Sequence, residues 1–309
     1  MRVSAIKSGG CWSHRAATHA GTWFVLSVYS LAANTLLIVL IFSSTELRRL
    51  TSYWILASFA VCEVFMSAIA LCYVVPSVLL HEKLGTTDLT VLYHFLWNAD
   101  VIQLALMALN RYVSIVYPIY YSTFFSKKNT ARQLCICYIL ATLQSLPTLT
   151  PCCYILWDSY NYISYYISPD SWYKVLDLSI NIAVLVEMVT FYTVVLCQVR
   201  RVQHQTRQSA NEIIHRNGES SRLEVRLLAQ FLAVSLIYLA TWTTWQWMPF
   251  VSASKWLYFL MMSFAYLNNA VNPTIYLYFN NDLRSKVYEL WSKNQNQSIV
   301  NITIRRQNQ

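Results

Sequence analysis

Long apolar blocks alternate with short polar segments along the chain, and this pattern predicts its architecture. A helix needs about 20 mainly apolar residues to cross the hydrocarbon core of a bilayer, whereas a barrel strand needs only about ten. Seven blocks are of helical length: 22–42, 53–78, 91–117, 134–157, 172–197, 226–250 and 256–279. We therefore expect an all-α membrane protein, in which seven transmembrane helices form one bundle.

Composition supports this prediction. Of the 309 residues, 56% are hydrophobic and 12% are charged, and a soluble domain carries about twice that charged fraction. Residues 1–21 lack a long apolar core, so we expect no cleavable signal peptide. The predicted organisation is an extracellular tail at 1–21, one bundle at 22–279, and an amphipathic helix with a cytoplasmic tail at 280–309.

The distribution of positive charge predicts the orientation in the membrane. Most of the 23 Lys and Arg residues follow the first, third, fifth and seventh blocks. Such residues resist translocation, so we expect these segments to be cytoplasmic and the amino terminus to be extracellular. The net charge of +9 then reflects topology. A nucleic-acid partner is disfavoured because the basic residues are scattered over separate segments.

Two short motifs stand at the cytoplasmic ends of predicted spans. The third span ends in NRYVSIVYPIYY, and the seventh contains NPTIY. Together they resemble rhodopsin-like G-protein-coupled receptors, which carry Asp/Glu-Arg-Tyr, a following Ile, Pro-Leu/Ile-x-Tyr and Asn-Pro-x-x-Tyr. The matching residues are Arg111, Tyr112, Ile115, Pro118, Ile119, Tyr121, Asn272, Pro273 and Tyr276.

The resemblance extends over all seven spans and is greatest to the nematode serpentine chemoreceptors of class X (Srx). The segment LNRYVSIVYPIYYSTFFSKKNT and the tetrapeptide YVVP carry this finer likeness. It implies a plasma-membrane receptor, in sensory cilia of neurons, that binds a small odorant or pheromone on the outside. A heterotrimeric G protein would bind to the cytoplasmic ends of helices 3, 5, 6 and 7. Membrane lipids would surround the bundle.

In the family the motif arginine is a switch that neighbouring acceptors hold at rest. Here Asn110 replaces the usual acid, and a neutral amide lacks the charge assistance that strengthens such bonds. We therefore expect a weaker resting lock and higher basal signalling, with Glu224 near the base of the sixth span as a compensating partner. Ile119 is expected to insert into the G protein as an apolar plug.

Several polar residues lie at membrane depth, where they usually face the interior of a bundle. They are Asn34, Glu63, Asp100, Asn268, Asn269 and Asn272. By resemblance they form a central polar pocket, in which two carboxyl groups cannot both ionise without a shared cation or proton. A monovalent cation is the only cofactor expected, and interhelical hydrogen bonds are the alternative role. Pro273 removes a backbone hydrogen bond and predicts a deformable joint.

The outer halves of the spans should line a ligand cavity. The expected wall residues are Tyr93, His94, Trp97, Asp177, Asn181 and Tyr266, with Trp242, Trp245 and Trp247 completing it. An aromatic cavity suits a small, mostly apolar molecule, and Tyr93 stands where aminergic receptors have an aspartate. A neuropeptide ligand remains an alternative. Aromatic residues also anchor spans at the membrane interface, which is the other reading of this set.

The outer disulfide of the family is not matched, because Thr86 stands in place of the first cysteine. An outer bridge from Cys152 or Cys153 would therefore need Cys11 or Cys72. An enzyme is disfavoured, since neither a His-Glu-x-x-His helix nor a Gly-x-Ser-x-Gly elbow occurs. A seven-span ion channel or transporter is the rival class. It would place the carboxyl-terminal tail outside, where Asn296 and Asn301 could be glycosylated.

Overall fold

A computed structural model describes the backbone of residues 9–80, 87–168, 171–208, 232–245, 254–289 and 292, and the side chains of 17–80, 88–168, 171–201, 232–245, 254–289 and 292. Its helices are α1 (Gly9–Ser43), α2 (Thr45–Arg49), α3 (Thr51–Ile69), α4 (Val75–Leu80), α5 (Thr87–Val116), α6 (Pro118–Phe124), α7 (Lys127–Ser145), α8 (Trp172–Gln208), α9 (Leu232–Trp245), α10 (Lys255–Phe279) and α11 (281–289). Strands β1 (Ile155–Asp158) and β2 (Ile163–Tyr166) form an antiparallel hairpin.

The described helices form the predicted seven-helix bundle with a short extra helix. Four segments are long and apolar enough to cross a membrane: Ala17–Ser43, Thr51–Leu80, Asp88–Val116 and Trp172–Arg201. The second of these joins α3 to α4 through a π-helical turn at Ala70–Val74. Helix α7, the shorter apolar helix α9 and helix α10 take the fourth, sixth and seventh places, respectively.

The prediction for the fourth span, 134–157, is wrong at its carboxyl end. The helix α7 begins earlier, at Lys127, where the Ser126 hydroxyl caps its first turn. It ends at Ser145 in a 3₁₀ turn, because Pro147 and Pro151 cannot continue a helix. The apolar stretch beyond is strand β1, since apolar length alone does not separate a buried strand from a helix.

Helix α5 lies at the centre of the bundle and connects its two ends. It packs against α3, α7 and α8, while α1 packs against α3 and α10. One apolar core surrounds its inner half and a second surrounds its outer half. The same helix therefore carries Tyr93 near the outer end and Arg111 near the inner end.

The β1–β2 hairpin covers the outer end of the bundle. Tyr162, at its tip, has a positive φ of 62°, and its ring lies 5.8 Å from that of Trp23 in α1. The ammonium of Lys255, at the start of α10, lies 3.1 Å from the centroid of the Tyr160 ring. Aromatic and cation–π contacts therefore hold the hairpin against both α1 and α10.

The helical boundaries at the two ends of the bundle also differ in detail from the sequence pattern. Helix α1 starts at Gly9, inside the segment assigned to the extracellular tail. Helix α11 is capped by Asn280, whose Oδ1 accepts from the backbone N–H of Leu283 at 3.2 Å. Leu283 is fully buried against the bundle. The sequence also predicts one apolar face for this helix, made of Leu283, Val287, Leu290 and Trp291. Leu283 and the partly buried Val287 pack against the inner core, and Leu290 and Trp291 lie outside the described residues.

Candidate functional site

A cavity of about 110 Å³ opens between the outer halves of α5, α8, α9 and α10, beneath the hairpin. Five of the six expected wall residues line it: Tyr93, His94, Trp97, Asp177 and Asn181. Tyr266 lines a smaller adjoining space of about 30 Å³, together with Tyr93. Trp242 and Trp245 complete the wall, and Trp247 lies outside the described residues. The sequence pattern missed the hairpin residues Ile155, Ser164, Tyr165 and Tyr166, because it placed β1 in a helix.

Asp177 is the hub of the cavity wall. Its Oδ1 accepts from Gln144 Nε2 of α7 at 3.0 Å, and its Oδ2 accepts from the Tyr166 hydroxyl of β2 at 3.0 Å. His94 Nε2 lies 3.9 Å from the same Oδ1. One carboxyl group therefore ties α5, α7, α8 and the hairpin together at the cavity.

Asn181 and Trp242 supply the other polar groups of the wall. Asn181 donates to the Asp177 carbonyl at 2.8 Å and accepts from the Tyr238 hydroxyl at 2.9 Å, which links α8 to α9. The indole N–H of Trp242 is buried and has no hydrogen-bond partner among the described residues. The cavity therefore presents an acceptor at one side, a donor at another, and aromatic surface between them.

In the central polar pocket, side-chain hydrogen bonds connect α10 to α3 and to α1. Asn272 Nδ2 of α10 donates to Glu63 Oε1 of α3 at 2.9 Å. Asn34 Nδ2 and Ser30 Oγ of α1 both reach the Asn269 carbonyl, at 3.3 and 3.1 Å. Asp100 of α5 interacts electrostatically with Glu63. These contacts connect four of the six predicted pocket residues across helices, and Asp100 adds a fifth.

Several acceptor oxygens in this pocket are buried without a hydrogen-bond partner among the described residues. They belong to Glu63 (Oε2), Asp100 (Oδ1), Asn268 (Oδ1), Asn269 (Oδ1) and Asn272 (Oδ1). A buried acceptor without a hydrogen bond destabilises the folded state and is rare in native proteins. Carboxylate and amide oxygens are the donor set that hard cations prefer. The pocket residues therefore fit a small cation or shared protons.

At the inner end, Asn110 connects α5 to α3 and α6. Its Oδ1 accepts from Ser52 Oγ at 2.9 Å, and its Nδ2 donates to the Tyr121 hydroxyl at 3.3 Å. The Ser52 and Tyr121 hydroxyls lie 3.0 Å apart. Asn110, which stands in place of the acidic residue of the receptor motif, thus forms a closed set of hydrogen bonds with Ser52 and Tyr121.

Arg111 is almost completely buried at this inner end, with 8% of its surface exposed. Four tyrosines lie close enough for electrostatic interaction with its guanidinium: Tyr53, Tyr121, Tyr192 and Tyr276. Tyr121 and Tyr276 belong to the two motifs, whereas Tyr53 and Tyr192 come from α3 and α8. Sequence reasoning missed the latter pair, because no local motif marks them and only the tertiary packing brings them to Arg111.

The other motif residues lie around this centre. The ring of Tyr112 stacks on that of Phe191 at 4.8 Å, and Ile115 packs against the inner core. Pro118 begins α6, and Ile119 beside it is 86% exposed. Pro273 lies inside α10. Glu224, the expected partner of Arg111, lies outside the described residues.

One family model matches most of the chain. The model of a family described as the serpentine type seven-transmembrane GPCR chemoreceptor Srx matches residues 24–280. Olfactory receptor 10D1B of Mus musculus is 27% identical over 110 residues, which cover 34% of this chain and 35% of that receptor. This match therefore spans about a third of the relative's length.

Among solved structures, the crystal structure of squid rhodopsin has the same fold. The TM-score is 0.79, and the superposition covers 91% of this chain and 86% of the rhodopsin chain. The sequence identity is 14%, so this likeness concerns the fold alone.

Proposed function

This chain belongs to the Srx family of serpentine seven-transmembrane chemoreceptors, and we propose that it binds a small molecule in the outer cavity and activates a heterotrimeric G protein at its inner end. One observation carries this proposal. The helix α5 supplies Tyr93, His94 and Trp97 to the cavity wall and Arg111 to the inner tyrosine cluster. A ligand that shifts α5 therefore acts on both ends of one rigid element. Receptors of this family are not enzymes.

The chemistry of the cavity favours a small, mostly aromatic or alicyclic ligand that carries a hydrogen-bond donor. Asp177 is the acidic group on the described wall, and none of the described lining residues is a lysine or an arginine. An anionic ligand would therefore be repelled without compensation. A space of about 110 Å³ beneath the hairpin also favours an odorant-sized molecule over a neuropeptide.

The inner end has the properties of a closed coupling site. Arg111 is shielded by tyrosines from four different segments, so a partner can reach it only after these segments separate. Ile119 already projects outward and can enter an apolar groove on the partner. We assign Arg111 to the switch and Ile119 to the docking surface for the G protein.

The proposal also includes the orientation of the receptor in the membrane, its cellular location and a cation in the central pocket. The distribution of Lys and Arg supports a plasma-membrane receptor with an extracellular amino terminus and a cytoplasmic carboxyl terminus. Family membership favours the sensory cilia of nematode neurons. The unsatisfied oxygens around Glu63 and Asp100 support a monovalent cation or shared protons in the central pocket.

The decisive experiment measures G-protein activation in cells that express the receptor with a panel of Gα reporters, during a screen of small volatile and water-soluble compounds. Arg111→Ala should abolish both basal and ligand-driven signals while surface expression is retained. Arg132→Ala is the matched control, because this arginine lies on the same side of the bundle in α7 and is exposed. An Arg111→Ala receptor that signals like the native protein would overturn the coupling role.

A further inference from the structure

Two adjacent cysteines, Cys152 and Cys153, lie in the turn between α7 and the hairpin. Their Sγ atoms are in contact at 2.8 Å. Cys152 is exposed, and its Sγ lies 3.2 Å from the Thr150 hydroxyl. Cys153 is buried, and its Sγ lies 3.4 Å from the Ser171 hydroxyl just before α8. One thiol of the pair therefore lies at the protein surface while the other faces the interior.

The buried member of the pair is one layer behind the ligand cavity. Cys153 packs in a small apolar cluster with Ile155 and Tyr173. Ile155 lines the cavity itself, and the Tyr173 hydroxyl lies 2.7 Å from Nε2 of the wall residue His94. A change at the Cys153 sulfur is thus transmitted to the wall through direct contacts.

The exposed member has the features of a reactive thiol. A hydrogen bond with the Cys153 thiol and another with the Thr150 hydroxyl lower the pKa of Cys152, which favours its thiolate. The thiolate is the nucleophile in thiol–disulfide exchange. Disulfides form and persist outside the cell, where the orientation proposed above places this turn.

We propose that Cys152 and Cys153 form a redox pair that closes and opens as a vicinal disulfide beside the ligand cavity, with low-molecular-weight disulfides as the oxidant. The Cys152 thiolate attacks a disulfide RSSR, forms a mixed disulfide and releases one RSH after protonation. The Cys153 thiol then attacks the Cys152 sulfur, closes the ring and releases the second RSH. Two cysteine hydrogens and two electrons pass to the two RSH molecules.

The adjacency of the two residues makes this bridge reversible. Consecutive Cα atoms across a trans peptide are about 3.8 Å apart, whereas disulfide-linked residues usually have Cα separations of about 4.4–6.8 Å. A bridge between neighbours is therefore strained, and strained or exposed disulfides are the readily reduced, regulatory ones. The pair serves as a modification site and does not replace a permanent structural disulfide.

The test uses the purified full-length receptor, equilibrated in buffers of increasing oxidised-to-reduced glutathione ratio. The reaction is stopped with acid, free thiols are alkylated with N-ethylmaleimide, and the peptide with both cysteines is analysed by mass spectrometry. In the native receptor we expect this peptide to change from two maleimide adducts to none, with loss of two hydrogens and no lasting glutathione adduct. Mild reductant should restore both adducts.

Serine variants separate the steps. Cys153→Ser should stop at a mixed disulfide between Cys152 and glutathione. Cys152→Ser removes the exposed nucleophile, so the buried Cys153 should keep its thiol across the same buffers. This variant decides the question even if Cys153→Ser fails to fold. Cys72→Ser, which removes an exposed cysteine of the second span, should behave like the native receptor.

Two results would overturn the proposal: a glutathione adduct that accumulates on the native pair without ring closure, or a cross-link from either cysteine to Cys11 or Cys72. Labelling of intact cells with a membrane-impermeant maleimide, before and after an impermeant reductant, tests the placement on which the proposal rests. Labelling that appears only after reduction supports an outward, closed pair. A pair that closes in the purified receptor but is never reached from outside contradicts the proposed orientation and leaves the ring chemistry intact.

Discussion

Asn272 of α10 donates a hydrogen bond of 2.9 Å to Glu63 of α3, and both side chains are completely buried in the centre of the bundle. Asp100 of α5 interacts electrostatically with the same carboxyl group. The second, third and seventh spans thus meet at one buried acid. This junction lies between the outer cavity and Arg111.

The first prediction concerns the stability of this junction. Asn272→Ala removes the donor to the Glu63 carboxyl, and an unsatisfied buried acceptor destabilises a protein by about 1–3 kcal/mol. We therefore expect a lower thermal midpoint for the purified receptor, measured by size-exclusion chromatography after heating. Asn281→Ala is the control, because this asparagine lies at the start of α11 and is exposed. Equal losses in the two variants would contradict the assigned role of the Asn272 bond.

The second prediction concerns the ion in the central pocket. If a monovalent cation balances Glu63 and Asp100, replacing choline chloride with sodium or potassium chloride at equal ionic strength should raise the thermal midpoint. Glu63→Gln keeps the oxygen that accepts from Asn272 but removes one charge, so the cation effect should disappear. A native midpoint that does not respond to any alkali cation would favour shared protons instead.

The sequence predicted the seven-helix bundle, although not where the fourth helix ends, because an apolar stretch of spanning length is a local property. It placed Tyr93, His94 and Trp97 on the outer half of one helix, and all three line the cavity, while their part in ligand binding stays a prediction. It missed the hairpin, since the run containing Ile155 is as apolar as a span. It also missed Tyr192 beside Arg111, because residues far apart in the chain meet there only through packing.

The third prediction concerns basal signalling. Asn110→Asp places a carboxylate next to Arg111, where the native amide bonds to Ser52 and Tyr121. The added charge should strengthen the resting lock, because charge-assisted hydrogen bonds are about twice as strong as neutral ones. We expect lower ligand-free activity in a reporter assay at matched surface expression. Ser52→Ala disturbs the same closed set of hydrogen bonds without adding charge and should not lower it. Unchanged basal activity in Asn110→Asp would show that Asn110 does not weaken the lock.

The fourth prediction concerns ligand selectivity. Asp177→Asn preserves the shape of the side chain but removes its negative charge. It also replaces one of the two carboxylate oxygens that accept hydrogen bonds from Gln144 and Tyr166 with an amide nitrogen. A hydrogen bond to a charged group contributes about 1.5–3 kcal/mol, so the potency of donor-bearing ligands should fall about tenfold or more. Dose–response curves for an alcohol and its ether analogue measure this difference. Gln144→Leu keeps the carboxylate and should preserve the preference for the alcohol. A loss of potency that is equal for both ligands in Asp177→Asn would indicate general damage to the cavity.

The last prediction concerns topology, on which the roles of Arg111 and Cys152 both depend. A carboxyl-terminal epitope tag should bind antibody only in permeabilised cells, because the Lys and Arg residues that follow the seventh span resist translocation. Asn296 and Asn301 should then carry no glycan, since acceptor sequons are modified only in the lumen. A glycosidase shift assay on the native chain and on Asn296→Gln/Asn301→Gln provides the control. Staining of intact cells, or a glycan at either asparagine, would place the tail outside, remove Arg111 from the reach of a G protein, and favour the channel class.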